Sequence, residues 1–291
     1  MAGTAAGGAR RSRWAPWLLS APALVWLGLF FVVPLVTLFR TSLSVNVGSV
    51  FVPELEMRWQ LSNYTDAFTA HGGILLRSFR YAGGATLAAL VLAYPLAYVL
   101  AFRAGRWKNA LLGLVILPFF VTFLVRTLAW KTILDDSGPV VSFLDTIGLL
   151  PAEGRLLSTS WAVMGGLTYN FLPFMILPIY VSLEKIDPRL MEAARDLYAT
   201  GPRAFAKVLL PLSLPGVVAG SLLTFIPASG DFINAEYLGG VNQSMIGSVI
   251  QSQFLIIRDY PTAAALSFVL MLIILVAVLV YTRLLGTEDL R

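Results

Sequence analysis

The stretch Glu192–Pro211, EAARDLYATGPRAFAKVLLP, is charged and alanine-rich, yet long apolar runs lie on either side of it. Just upstream, Asp187-Pro188 is a helix start: the carboxylate can cap free N–H groups, and proline suits the first helical position. From Arg189 to Ala199 the residues favour helix. Leu190, Ala194 and Leu197 recur at i, i+4 and i+7 as a narrow apolar stripe, widened by Met191. Glu192, Arg195 and Asp196 fall away from that stripe. Gly201-Pro202 is expected to break the helix, with a second short helix from Arg203 running into the next apolar run. The product is a short amphipathic helix, a turn and another helix, held between two membrane anchors.

The rest of the chain explains why such a segment stands out. Of 291 residues, 57% are hydrophobic and 13% charged, and the mean hydropathy is +0.78. A soluble domain is about a quarter charged, so the composition is that of a polytopic membrane protein. There is no cysteine, which excludes disulfides, thiolate nucleophiles and cysteine-metal sites. A single histidine, His71, leaves no histidine-based metal cluster.

Six runs are long and apolar enough to cross a bilayer: Ala15–Phe39, Tyr81–Phe102, Ala110–Trp130, Trp161–Leu183, Val208–Gly230 and Pro261–Thr282. The first follows Arg10, Arg11 and Arg13, but it is too long for a signal-peptide core and is read as a retained span. Basic residues orient the bundle. The N-terminus, the Arg103–Asn109 loop, the Glu184–Lys207 loop and the C-terminus together carry a net +7, against −2 for everything else. The expectation is an all-α bundle of six transmembrane helices with both termini cytoplasmic. Residues 1–14 and 286–291 would be cytoplasmic tails around a 15–285 transmembrane domain, whose polar loop covers about 184–211. Trp59–Phe68, Ser142–Pro151 and Met245–Pro261 have helical apolar spacing and are expected to lie along the outer membrane surface.

The polar loop resembles the EAA signature of ABC importer permeases. Glu192, Ala193 and Ala194 match its opening, and Val208-Leu209-Leu210-Pro211 falls at the distance of its Ile-x-Leu-Pro ending. The resemblance implies a type I importer permease fold and a helix that seats in a groove of a cytoplasmic ATP-binding subunit. Leu190, Glu192, Ala193, Ala194, Leu197, Gly201 and Pro211 would carry that coupling. No G-x-x-x-x-G-K-S/T loop is present, so the chain is expected to be non-catalytic and without a cofactor of its own. ATP and Mg would bind a partner ATPase dimer. The other implied partners are a second, distinct permease subunit, an extracytoplasmic solute-binding protein and membrane lipid, with no nucleic acid. The family's usual glycine is Tyr198 here. If that glycine supplies a φ > 0 turn, tyrosine pays a steric cost, and Gly201 is the alternative site for the bend.

The resemblance extends over nearly the whole chain and includes the permeases of spermidine/putrescine importers. Arg126–Leu150, Tyr169–Asp187 and Phe225–Gly240 are the stretches that carry it. It implies a bacterial cytoplasmic-membrane protein moving a polyamine, with ferric iron, sulfate or phosphonate as alternatives on the same architecture. A polycation needs carboxylates, carbonyls or aromatic faces along its path, because stripping water from each ammonium is costly. Asp231 at the end of the fifth span is one candidate, with Glu236, Tyr169 and Asn170 beside it. The competing readings are a water-facing Asp231, and interhelical hydrogen bonding by Tyr169 and Asn170. Arg126 is expected to snorkel or to pair with Asp135 or Asp136. A proton- or sodium-coupled carrier is disfavoured by the charge-poor spans and the lack of an internal repeat. A membrane-embedded enzyme is disfavoured because no catalytic motif stands in them.

Overall fold

The computed structural model describes residues 15–49, 52–148 and 154–284. The expected tails, residues 1–14 and 286–291, lie outside the described residues. In chain order the helices are α1 (Ala15–Leu27), α2 (Val33–Ser42), α3 (Ser62–Phe102), α4 (Lys108–Ile116), α5 (Phe123–Leu134), α6 (Pro139–Thr146) and α7 (Ser160–Glu184). They continue with α8 (Arg189–Asp196), α9 (Gly201–Ala204), α10 (Leu210–Ser229), α11 (Ile233–Leu238), α12 (Ile246–Ser252) and α13 (Tyr260–Leu284).

Among the described residues, five helical stretches are long and apolar enough to cross a membrane: Ser20–Ser42, Ser62–Phe102, Ser160–Glu184, Gly201–Ser229 and Tyr260–Arg283. The expected third span, the Arg126-interrupted run Ala110–Trp130, falls instead across two helical segments, Gly105–Phe120 and Phe123–Thr146, that meet at a 95° bend; if the pair counts as one span, the number of spans is six. Pro118 sits in a tight 3₁₀ turn, Leu117–Phe120, and Val121 and Thr122 are extended, so the hydrogen-bond ladder stops and restarts.

Of the surface helix expected at Trp59–Phe68, Trp59–Leu61 precede any helix and Ser62–Phe68 form the first part of α3. That helix runs 41 residues, about 60 Å at 1.5 Å per residue, which is roughly twice a bilayer's hydrocarbon thickness. Ahead of it, β1 (Ser44–Asn46) and β2 (Leu55–Met57) form an antiparallel hairpin that the periodicity did not indicate. At the other two stretches the structure has helix over part of the expected range, in α6 and in α12 with its π-helical extension Gln253–Ile257; residues 149–151 lie outside the described residues.

The core is the packing of α3, α7 and α10. Ala82, Ala85, Ala89, Ala93 and Ala97 form a stripe along α3 with no exposed surface, which lets α7 and α10 approach closely. On α10 the matching positions are Gly216 and Gly220. A Cβ at Gly216 would lie 2.5 Å from the Ser182 Cβ, and one at Gly220 would lie 2.9 Å from the Met175 sulfur. The span Ser20–Ser42 is peripheral, resting on α13 with Phe39 edge-on to Phe268 at 5.4 Å.

Candidate functional site

The loop that joins α7 to α10 is anchored at both ends. The carboxylate of Asp187 accepts the Arg189 N–H at 2.9 Å, so the expected cap is made. Ala194 is the one residue of the predicted stripe turned inward, at 9% exposure, while Met191 packs on the core residues below the loop. Leu190 is exposed, and Leu197 is 81% exposed, so those two face away from the protein. Glu192 and Ala193 are exposed as well. The helix therefore presents an apolar and charged outer face that nothing among the described residues covers.

The turn is made by Tyr198 and not by Gly201. Tyr198 has φ +61°, and the Ala199 N–H reaches back to the Ala194 carbonyl at 3.0 Å. This six-to-one bond around a left-handed residue is a Schellman closure, in which glycine is usual at the position Tyr198 occupies. Gly201 instead begins α9, and no break follows. α9, a π-helical turn (Phe205–Leu209) and α10 run on as one stretch, Gly201–Ser229. Pro211 lies in the first turn of α10, directly after the π turn; widening the helix there accommodates a residue with no N–H to give to the carbonyl four positions back. Beside the loop, Lys108 and Glu184 form an ion pair that ties the start of α4 to the end of α7, with the lysine ammonium 5.4 Å from the Tyr180 ring.

A second polar site lies where α5, α7 and α11 meet. Asn170 Nδ2 donates to Thr127 Oγ1 and to Asn234 Oδ1, both at 3.1 Å, and all three side chains are fully buried. Thr127 Oγ1 donates to the same Asn234 Oδ1 at 3.3 Å. Gly166 makes this approach possible, since a Cβ there would stand 2.7 Å from Asn234 Oδ1. Asp231 Oδ1 accepts the Asn234 backbone N–H at 2.7 Å, so this buried carboxylate holds the first turn of α11. Arg126 is buried too. Its guanidinium lies 5.5 Å from the Phe123 ring, and one terminal nitrogen donates to the Asn170 carbonyl at 3.4 Å. It does not pair with Asp135 or Asp136, as expected from the sequence; Asp136 instead pairs with Arg155 at 3.2 Å. Arg126 Nε, Asn170 Oδ1 and Asn234 Nδ2 have no protein partner among the described residues.

Residues 85–285 match the family of the binding-protein-dependent transport system inner membrane component. The chain belongs to this family. The permease is 40% identical over 259 residues to the spermidine/putrescine transport system permease protein PotB of Escherichia coli (strain K12), covering 89% of this chain and 93% of that one. It is 35% identical over 290 residues to the inner membrane ABC transporter permease protein YdcU of the same organism, covering 94% and 90%. Its fold matches a crystallised bacterial alginate ABC transporter, in complex with an alginate pentasaccharide-bound periplasmic protein, with a TM-score of 0.68 at 17% identity and 93% coverage of both chains. The permease is thus a multi-pass protein of the bacterial inner membrane and a non-catalytic subunit of an ABC transporter.

Within this permease the four pathway candidates take different positions. Asp231 and Asn170 are joined through Asn234. Tyr169, at 37% exposure, stands edge-on to Trp130 with ring centres 5.4 Å apart, and Glu236 is exposed on α11. Thr127 and Asn234 were not singled out from the sequence. Two polar residues in otherwise apolar stretches were the available signal, but their meeting depends on how α5 and α11 pack.

Proposed function

We propose that this chain, with a second permease subunit, forms the membrane pathway of a binding-protein-dependent importer for a polyamine of the spermidine/putrescine class. The observation that carries the cargo is the 40% identity to a spermidine/putrescine permease across nearly the full length of both chains. The positive-inside charge balance puts the α8 loop and both termini in the cytoplasm. In that orientation, the outward face of α8, with Leu190, Glu192, Ala193 and Leu197, docks on a cytoplasmic ATPase dimer that binds ATP and Mg. Short loops join α8 at both ends, so a push on it is delivered to α7 on one side and to the continuous Gly201–Ser229 stretch on the other. A solute-binding protein delivers cargo at the opposite end. Asp231, Glu236, Tyr169 and Asn170 lie on or beside the route.

The test is to reconstitute the complete importer with its binding protein and measure spermidine uptake together with ATPase stimulated by the loaded binding protein. Glu192→Arg or Ala193→Trp, both on the outward face, should abolish the stimulated ATPase while the subunit stays membrane-inserted. Unchanged ATPase would end the coupling assignment. Absence of spermidine or putrescine uptake by the wild-type importer would end the cargo assignment.

A further inference from the structure

Arg126 is a buried cation that this chain leaves without a counter-charge. It is only 9% exposed, and among the described residues no carboxylate lies within ion-pair distance of it. Its one hydrogen bond among them runs from Nη1 to the Asn170 carbonyl at 3.4 Å, longer than usual, and Nε is sealed without a partner. The Nε–Nη2 edge of the guanidinium is therefore unused. Burying a charge is costly unless it is paired and hydrogen-bonded, so Arg126 has the form of half an ion pair. Ring contacts run outward from it. The guanidinium lies 5.5 Å from the Phe123 ring, Phe123 lies 5.6 Å from Phe171, Phe171 lies 6.2 Å from Phe174, and Phe174 lies 5.0 Å from Phe119. At the outer end of this run Phe119 and Phe174 are exposed. A buried arginine ringed by aromatic side chains is the composition found at the centre of protein–protein interfaces. Lipid tails can cover the rings but offer the guanidinium no acceptor.

We infer that a carboxylate of the second permease subunit completes Arg126 in the assembled importer, across an interface that includes the Phe119–Phe174 end of this aromatic run. A carboxylate fits the unused edge, because its two oxygens accept two parallel N–H bonds from the planar guanidinium. The pairing also matters for cargo. Arg126 bonds the backbone of Asn170, a candidate for the route, and an unanswered cation there repels a polyamine. A partner carboxylate cancels that repulsion. The inference rests on the two-permease reading and adds to it the chemistry that joins the two subunits.

The experiment uses the complete importer, co-expressed with an affinity tag on this chain, and compares the amount of this chain in the membrane with the amount of second permease recovered on it. Arg126→Met should leave the membrane level unchanged and cut that recovery about tenfold or more, the scale of truncating one side of a buried charge pair. Each acidic residue in the apolar spans of the second permease is then neutralised in turn, aspartate to asparagine or glutamate to glutamine. One of these changes should cause the same loss. Combined with Arg126→Met, that change should restore recovery to within about twofold of wild type, since removing both charges together leaves neither stranded. If no acidic residue of the second permease behaves in this way, the pairing is overturned, whether or not Arg126→Met itself folds. A fall in membrane level that matches the fall in recovery in Arg126→Met, with no loss from any acidic change, assigns the arginine to the packing of this chain alone and also overturns it. The purified wild-type importer is finally melted in chloride and in gluconate. Stabilisation by chloride that Arg126→Met abolishes identifies a free anion as the acceptor and overturns the partner carboxylate. A wild-type importer that brings down no second permease chain retires the two-permease reading itself.

Discussion

Asn170 Nδ2 donates to Asn234 Oδ1 across 3.1 Å, and that bond ties the fourth span to the short helix that follows the fifth. Asp231 caps the same short helix from its other side. The segment from Gly230 to Leu238 is held by buried polar contacts, which satisfy groups that burial would otherwise leave without partners.

Breaking this contact should be costly in a specific way. Asn234→Leu removes the acceptor of one Asn170 amide proton, leaving Asn170 bonded to Thr127 and Thr127 to the Phe123 carbonyl, and should destabilise the protein by about 1–3 kcal/mol, the scale of a buried polar group left unsatisfied. Asn170→Leu should cost a similar amount. The double variant should lose less than the sum of the two. Thermal unfolding of the detergent-solubilised importer reads all three, and strict additivity would mean that the two residues do not act as a pair.

Asp231 has two separable properties, its charge and its cap. Asparagine caps nearly as well as aspartate, so Asp231→Asn should leave the unfolding temperature nearly unchanged, whereas Asp231→Leu should lower it. Spermidine uptake then reports on charge alone. Reduced uptake in Asp231→Asn at normal protein level places the carboxylate on the route, and normal uptake leaves it with capping as its role.

Tyr198 holds a left-handed conformation that costs a non-glycine residue about 1 kcal/mol. Tyr198→Gly should relieve this and slow amide hydrogen exchange across α8 several-fold. A β-branched residue fits this region less well still, so Tyr198→Val should speed exchange. The ring itself is 94% exposed and touches little within the chain, so the slowing should not be offset by lost packing. Faster exchange in Tyr198→Gly would show that the tyrosine side chain stabilises the turn.

The close approach of α7 and α10 depends on having no side chain at Gly216. Gly216→Leu must push against the Pro178 carbonyl, 2.6 Å from the would-be Cβ, and should prevent accumulation of folded subunit in the membrane. Gly165→Ala is the matched control, since no atom lies within 4 Å of a Cβ there. Equal accumulation of the two variants would contradict the packing described for the core.

The membrane character and five of the six expected spans were legible in the sequence because a bilayer demands long uncharged runs, and such runs are visible without any knowledge of partners. So were the Asp187 cap and α8, since both are local: a capping carboxylate and a few turns of helix former need no tertiary contact. The difficulty at Tyr198 could be anticipated, but not its outcome. Whether Tyr198 or Gly201 makes the bend depends on where the helix must end so that Gly201–Ser229 can continue as one element. The bend at Val121-Thr122, the extension of α3 by a turn-rich polar stretch, and the meeting of Thr127, Asn170 and Asn234 were settled only by the tertiary structure. Those three residues are scattered along the chain, and a buried amide finds its partner through how helices cross, which no local spacing encodes. The sequence by itself determined that this chain crosses the membrane and carries a short amphipathic helix between two spans; only the packing of α5 and α11 against α7 decided which polar groups share a site.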